Sequence, residues 1–507
     1  MVICWIMLGI YILLMTVIGI LGARKTSSMS DFVVGGRKAG PWVSAFAYGT
    51  AYFSAVVFIG YAGRSGWGYG LWAALIGVGN AIFGGYLAWK VLAKRTRRAT
   101  QRLEIKSMPQ LFEKRYGSRA MKIFAAIVIF FFMTPYSASV YTGLSYLGEI
   151  VLEVDYHLIM VIIAVVAAIY LVLGGYIAAL SADFVQGIIM IVGVIAMIIV
   201  IIFSPEVGGF SEGFAKMGEL MQTEGIADFT APGTSVLGLI SLIFLTSFAT
   251  WGLPQMVHKY YAIKDDAAIR RGTIISTVFC LIISGGAYFL GSFSRLFDGI
   301  LTEKGVIVDG VMTNTDQIIP TILAERLPVL LLGIVLILVL SASVSTLSSL
   351  TLTSCSTVTM DLVAGALRPN IKPKSNLLLT RILCLVFIVI SFLIASFKGP
   401  ILTLMSFSWG SVAGSFLAPY LLGLFWKRMN RAGAWAGMIG GLGTELILAV
   451  GSGFDTANSN LFGMIAILVS FILCIVVSFV VKCNNGEDSE AFFAKDEKDE
   501  VPVNDIQ

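Results

Sequence analysis

A chain of 507 residues that is 57% hydrophobic and only 13% charged is not an ordinary soluble protein, because soluble domains carry about 25% charged residues. The net charge of +5 is spread over many short segments, so it reports membrane topology rather than a nucleic-acid partner. The six cysteines show no CxxC pairing, which argues against a disulfide framework or a metal cluster.

The apolar residues come in blocks of about 20, the length that a helix needs to cross a bilayer. They predict an all-α polytopic membrane protein with thirteen transmembrane helices. The first block opens without a positive charge and lacks a small-residue cleavage site, so it is interpreted as a retained span and not as a signal peptide. The predicted spans are 3–22, 41–62, 70–93, 121–150, 156–176, 183–204, 235–256, 272–295, 327–361, 379–397, 400–425, 432–451 and 461–482.

The basic residues predict the orientation of these spans. With the N-terminus outside and the C-terminus in the cytoplasm, the inner segments hold 29 of the 35 Lys and Arg residues and the outer segments hold six. Such an excess on the inner side is expected of a protein of the plasma membrane, and the cysteine-poor outer face favours a bacterial inner membrane. The tail at 484–507 is charged and short of apolar anchors, which predicts disorder.

Two spans contain helix-breaking residues well inside the membrane. The second holds Gly49, Thr50 and Ser54, and the seventh holds Gly252 and Pro254. An opened backbone at this depth persists only where it lines a cavity or is buried in protein. The simpler alternative is that glycine and proline are common in membrane helices.

Counted from the second span, the interrupted spans are elements one and six, as expected for two inverted repeats of five helices. Because each repeat has an odd number of helices, the two halves have opposite orientations. The predicted divisions are an N-terminal extra helix with an inner loop (1–40), the first repeat with an outer loop (41–234), the second repeat (235–425), two C-terminal helices (426–483) and the tail (484–507).

The ninth span is rich in hydroxyl groups. Ala342, Ser345, Thr346 and Ser349 fall on one face of a helix, and neutral oxygens of this kind suit an alkali cation. Alternatively, such hydroxyls bond to carbonyls of their own helix. Asp183 is one of few acids near the bilayer, and it is either a functional acid or an interfacial one that reaches water.

Several motifs, in this order and spacing, resemble those of the solute:sodium symporter family as far as about residue 483. They are DFVVGGR at 31–37, SADFVQG at 181–187, GLP at 252–254, STLS at 345–348 and SWG at 408–410. The resemblance is nearest to the sodium/pantothenate and sodium/proline branches. It implies a LeuT-like core and sodium-coupled import of a small organic solute, either a carboxylate or an amino-acid-like compound.

The resemblance also implies a set of binding residues. A principal sodium site would use backbone oxygens of Thr50, Phe53 and Ala342 and the hydroxyls of Ser345 and Thr346. A second sodium site would use Asp183 with Ser345, Ser348 and Ser349. The solute pocket would be lined by Tyr52, Ser54, Asn80, Tyr136, Ser139, Thr250, Trp251 and Gln255.

The pocket departs from related transporters at three points. Tyr52 stands where proline transporters carry an aspartate, and the GLP motif is closer to the pantothenate branch. The fourth span lacks the arginine that sialic acid transporters use. We find no buried cation for a solute carboxylate, a role that the helix N-termini at the breaks could take.

Other functions of the same fold remain open at this stage. A proton-coupled transporter would depend on Asp183, a channel would lack saturable sodium-dependent uptake, and a membrane sensor would need a signalling domain. No arrangement of nucleophile and base is found, so no enzyme activity is expected. The expected partners are sodium, the solute and the lipid bilayer, without nucleic acid or an obligate protein partner.

Overall fold

The computed structural model describes residues 2–24, 32–33, 35–231, 234–368, 370–482 and 485–494. Most of this part of the chain is helical, and it also contains one small hairpin of β1 (Ile307–Val308) and β2 (Val311–Met312). Short helical turns join the longer helices. The longer helices are α1 (Val2–Ala23), α2 (Pro41–Tyr52), α3 (Val56–Arg102), α4 (Met108–Tyr116), α5 (Arg119–Leu152), α6 (Tyr156–Ile202), α7 (Phe210–Thr223), α8 (Val236–Trp251), α9 (Pro254–Tyr261), α10 (Asp266–Gly291), α11 (Ile318–Arg326), α12 (Val329–Leu367), α13 (Pro373–Ala395), α14 (Ile401–Phe425), α15 (Arg431–Gly451) and α16 (Ser459–Val480).

Within the described residues, ten helices are long and apolar enough to cross a membrane, or eleven if α8 and α9 form one span bent by 42°. The protein is therefore an all-α polytopic membrane protein, while the number thirteen stays a prediction. Two of the long helices contain a break at a glycine with positive φ, Gly70 (φ 55°) in α3 and Gly175 (φ 58°) in α6. Gly70 is the first residue of the predicted span 70–93, and Gly175 is the last residue but one of the predicted span 156–176.

Both spans with helix breakers are interrupted in the structure. The first break follows α2, where Phe53 has an extended backbone (φ −107°, ψ 116°). The second lies between α8 and α9, where Leu253 is extended (φ −77°, ψ 122°). Pro254 then begins α9, a position where its missing N–H costs no helical hydrogen bond.

The core of the molecule surrounds α12 and α14. In the most apolar stretch of each, 72% and 89% of the residues are buried, compared with 28% in α1 and in α13. Helix α12 packs against α5, α6 and α2, so its hydroxyl-rich face lies inside the bundle beside the first break.

The outer part of the first broken span makes an unusually close contact with the end of α10. A Cβ atom on Gly66 would overlap the carbonyl of Gly291, and one on Gly291 would overlap the carbonyl of Ala62. Only glycine allows two backbones to approach in this way.

Part of the tail that was expected to be disordered is helical instead. The turn Glu487–Phe492 packs on α4 and the end of α3, and the Lys114 ammonium lies 2.8 Å from the Asp488 carboxylate. Phe492 is buried and Phe493 lies 5.1 Å from the Arg115 guanidinium, so the tail does have apolar anchors. Residues 495–507 lie outside the described residues, and their disorder stays a prediction.

Candidate ion and solute site

The hydroxyl face of α12 meets the first break through Thr346. Its Oγ1 donates to the carbonyl of Ala342 at 3.0 Å and to the carbonyl of Thr50 at 3.3 Å. Thr50 lies in the last turn of α2, whose carbonyls have no partner within the helix. The structure thus brings three of the five residues predicted for the principal sodium site into one buried cluster.

The other two predicted residues lie beside this cluster. Phe53 is the residue at which the backbone opens, and it is fully buried. Ser345 precedes Thr346 on α12, and its Oγ donates to Oδ1 of Asp183 at 2.6 Å. Backbone and hydroxyl oxygens in a buried cluster are the hard, neutral ligands that sodium requires, so the residues present fit the ion.

Asp183 is a buried acid rather than an interfacial one. It is 0% exposed, and its second oxygen accepts a hydrogen bond from the Lys259 ammonium at 3.1 Å. Lys259 is itself only 3% exposed. A buried carboxylate is tolerated when it is paired. Here the Lys259 ammonium and the Ser345 hydroxyl each donate a hydrogen bond to it.

Lys259 was missed because the seventh span was predicted to end at residue 256. Helix α9 instead continues to Tyr261, and it carries the lysine to Asp183. The sequence therefore did not reveal this buried cation, whose partner is Asp183 and not a solute carboxylate. The run Lys259, Tyr260 and Tyr261 could have given the signal, because two tyrosines after the lysine favour continued burial.

The hydroxyls predicted for a second sodium site differ in their partners. Ser348 Oγ donates to the Ser345 carbonyl of its own helix at 2.8 Å. Ser349 Oγ is buried and has no hydrogen-bond partner among the described residues. It lines a narrow cavity of about 10 Å³ together with Gln255 and Lys259. Gln255, predicted to bind the solute, therefore lies beside the candidate ion ligands.

Two of the predicted solute residues belong to an aromatic cluster with Trp409. The ring of Tyr52 stacks on Phe53 at 4.1 Å, and it lies 6.5 Å from the ring of Trp409. Tyr136 meets Trp409 edge-on at 5.6 Å. The Tyr136 hydroxyl and the Trp409 indole N–H are buried without partners among the described residues, so both are available to a bound molecule. Trp409 was not predicted as a site residue, although the SWG motif contains it.

Asn80 forms hydrogen bonds with three hydroxyl groups. Its amide nitrogen donates to Ser284 Oγ at 3.0 Å, and its oxygen accepts from Thr246 Oγ1 at 2.8 Å and from Ser247 Oγ at 3.0 Å. These contacts join α3 to α8 and α10. In this conformation Asn80 holds the three helices together through its carbonyl oxygen and one of its two amide hydrogens.

The remaining predicted solute residues also bond to the backbone. Trp251 donates to the Phe83 carbonyl at 3.0 Å, which joins α8 to α3. Thr250 and Ser139 donate to carbonyls three residues earlier in the chain, at 2.8 Å and 2.7 Å. Ser54 Oγ accepts from the Val56 amide at 3.3 Å, directly at the first break.

Comparison with known proteins identifies the family of this chain. Residues 32–441 match the model of the sodium:solute symporter family, and the protein belongs to this family. The osmoregulated proline transporter OpuE of Bacillus subtilis is 30% identical over 498 residues, which cover 96% of each chain. The high-affinity proline transporter PutP of the same organism is 31% identical over 460 residues, which cover 90% of this chain and 94% of the transporter.

Solved structures show the same fold. A substrate-bound, outward-open Na⁺-coupled sialic acid symporter superposes with a TM-score of 0.77 at 20% identity, over 95% of this chain and 98% of that one. The manganese transporter of Eremococcus coleocola gives a TM-score of 0.53 at 14% identity, over 92% and 100% of the two chains. The protein has the LeuT-like fold, and it is a sodium-coupled importer of a small solute.

Proposed function

We propose that the solute is an amino acid or a similar small carboxylate, with proline as the first candidate, and that it enters the cell with sodium by alternating access. The names of the relatives support proline. The observation that supports the sodium site is a hydrogen bond. The Thr346 hydroxyl on α12 donates to the carbonyl of Thr50 at the end of α2.

Sodium would bind between α2 and α12. Its ligands would be the carbonyls of Thr50, Phe53 and Ala342 with the hydroxyls of Ser345 and Thr346. A cation at this place bridges the broken helix and the intact one, which stabilises one arrangement of the bundle over the other. Inward movement is driven by the sodium gradient and by about 2.3 kcal/mol per charge for each 100 mV of membrane potential.

The solute would bind next to the aromatic cluster of Tyr52, Tyr136 and Trp409. Their rings offer an apolar surface for a small ring or aliphatic chain, and the free Tyr136 hydroxyl and Trp409 N–H offer donors for a carboxylate. We propose that Asp183, Ser348 and Ser349 form a second cation site or part of the path by which sodium leaves.

For the topology we propose an outer N-terminus and a cytoplasmic C-terminus, as the distribution of basic residues predicts. The cytoplasmic face then carries α4 and the helical turn of the tail. The outer face carries α7, the β1–β2 hairpin and α11. A bacterial inner membrane is the proposed location.

Proton coupling is the second candidate, and the buried pair of Asp183 and Lys259 favours it. Both residues are nearly inaccessible to water, and the ammonium lies 3.1 Å from the carboxylate. In a proton-coupled mechanism, uptake would follow a pH gradient without sodium, and loss of the Thr346 hydroxyl would have little effect.

The experiment that separates these candidates is uptake of radiolabelled proline into proteoliposomes under a sodium, potassium or pH gradient. Removing one ligand of the ion by Thr346→Ala is expected to raise the sodium concentration for half-maximal uptake by about tenfold or more. Ser343→Ala is the matched control, because Ser343 Oγ bonds to Val339 of its own helix. Proline uptake that is indifferent to sodium would overturn the sodium site, and uptake of labelled pantothenate without uptake of proline would overturn proline as the first candidate.

A further inference from the structure

The N-terminal helix α1 packs on the rest of the molecule through one narrow face. This face contains Cys4, Leu8, Tyr11 and Met15, which are all buried. Their spacing of i, i+4, i+7 and i+11 places them on one side of the helix, and α1 packs against α6 and α12. Many of the other apolar side chains of α1 are exposed, as expected of a helix that borders lipid. Tyr11 therefore places a hydroxyl group inside the bundle.

Gln186 of α6 forms a hydrogen bond with this hydroxyl group. Its Nε2 donates to the Tyr11 hydroxyl at 2.8 Å and to Met15 Sδ at 3.3 Å. A thioether sulfur accepts hydrogen bonds but cannot donate them, so the nitrogen of the amide faces α1. The other branch of the amide is the oxygen Oε1, which is buried and has no hydrogen-bond partner among the described residues. An unpaired buried acceptor is destabilising by itself, which indicates a role in binding.

A second unpaired oxygen belongs to Ser341 on α12. Its Oγ is fully buried, and no hydrogen-bond partner is found for it in the described part of the chain. Ser341 precedes Ser345 by four residues, so both lie on one face of α12. The Tyr11 hydroxyl lies close to Ser341 and also interacts with the charge of Asp183.

Both unpaired oxygens lie next to the buried carboxylate of Asp183. Gln186 follows Asp183 by three residues, and this spacing places the two side chains on one face of α6. The hydrogen bond from Ser345 to Asp183 joins this face to that of α12. Gln186 and Ser341 therefore stand about one helical turn from this bond, one on each helix.

We propose that Gln186 Oε1 and Ser341 Oγ are further ligands of the cation that binds beside Asp183. Tyr11 is then a positioning residue, because it holds the amide of Gln186 in place. The assignment rests on the proposed sodium coupling and deepens the proposed second cation site. Amide and hydroxyl oxygens are hard, neutral ligands of the kind that sodium requires. Through Tyr11, the N-terminal helix takes part in ion binding although it precedes the first broken span.

The first test is the sodium dependence of proline uptake into proteoliposomes. Gln186→Leu and Ser341→Ala each remove one ligand, so the sodium concentration for half-maximal uptake should rise about tenfold. Gln186→Glu retains an oxygen at this position, and its value should lie between those of Gln186→Leu and the wild type. Tyr11→Phe keeps the ligand but releases its amide, so a rise of about threefold is expected, the effect of one weak hydrogen bond. The KM for proline at saturating sodium should be unchanged in all four variants.

Two matched controls are available. Tyr141→Phe also removes the hydroxyl of a buried tyrosine, but the Tyr141 hydroxyl has no hydrogen-bond partner among the residues that the structure describes. Ser343→Ala removes a serine hydroxyl that bonds to the Val339 carbonyl of its own helix. Both controls should keep the sodium dependence of the wild type.

Melting temperatures in sodium and in potassium separate ion binding from a structural role. A ligand predicts that replacing potassium by sodium stabilises the wild type more than Gln186→Leu or Ser341→Ala. A melting temperature that falls equally in both salts, with unchanged sodium dependence of uptake, overturns the inference. If Gln186→Leu does not fold, an unchanged sodium dependence in Tyr11→Phe and Ser341→Ala overturns it as well. Wild-type uptake that does not depend on sodium would instead contradict the proposed function.

Discussion

The pair of Asp183 and Lys259 gives a prediction that can be worked out in detail. Both side chains are at most 3% exposed, and the ammonium lies 3.1 Å from the carboxylate. Removing one partner of such a pair leaves the other charge buried and uncompensated, which costs about 3–5 kcal/mol. We therefore expect Asp183→Asn and Lys259→Met each to lower the free energy of unfolding by about that amount.

The double variant should recover most of the loss, because neither charge remains. The assay is unfolding of the purified protein in detergent, by heat and by denaturant, in a potassium buffer. Lys264→Met is the matched control, since it removes an exposed lysine next to Asp265 and should change stability little. If the two single effects add in the double variant, the residues do not act as a pair and the reasoning is refuted.

The same variants test whether sodium can replace the Lys259 ammonium as the cation beside Asp183. In Lys259→Met the Asp183 carboxylate has lost its cation, and sodium is the obvious replacement. Replacing potassium by sodium should therefore stabilise Lys259→Met more than it stabilises the wild type. An equal gain in both proteins would show that sodium does not approach Asp183.

Three further predictions concern other parts of the molecule. Gly66→Ala should lower the melting temperature because its Cβ would overlap the Gly291 carbonyl, whereas Gly68→Ala, which meets open space, should not. Burial raises the pKa of Asp316 from 3.8 to about 6, so the folded protein holds this proton more tightly than the unfolded chain does. Stability should therefore fall as pH rises from about 4 through about 6, and melting curves of Asp316→Asn should lack this decline. Deleting residues 483–507 should lower the melting temperature by removing the contacts of the tail with Lys114 and Arg115, and deleting only 495–507 should not.

Each of these predictions has a clear contrary outcome. Equal melting temperatures for Gly66→Ala and Gly68→Ala would mean that α10 moves aside at no cost. An Asp316→Asn variant with the pH dependence of the wild type would place the titrating group elsewhere. Equal stability of the two deletions would show that the helical turn of the tail contributes nothing.

The features that follow from local chemistry were predictable from the sequence. Hydropathy marks membrane helices, and glycine and proline mark places where a helix can open, so both interruptions were found. The period of 3.6 residues placed Ser345 and Thr346 on one face of α12. That this face meets the Thr50 carbonyl was implied by the family resemblance and not by the pattern itself.

Features that depend on distant contacts were not predictable. Lys259 and Asp183 are 76 residues apart, and their pairing depends on α9 remaining buried to Tyr261. Asn80 was expected to bind the solute, and its hydrogen bonds with three hydroxyls from two other helices were not foreseen. Nothing in one sequence window shows which polar groups another helix will supply.

The contact between Gly66 and Gly291 restricts how the molecule can move. Two backbones that touch without side chains between them have no rotamers to rearrange, so the helices cannot slide past each other in small steps. The outer half of the first broken span and the end of α10 must therefore move together as one rigid body. They pivot at the opened backbone of Phe53 and Ser54, where α2 has ended and α3 has not yet begun. A cation bound beside this break acts where a small displacement of the backbone produces the largest movement at the outer ends of the two helices.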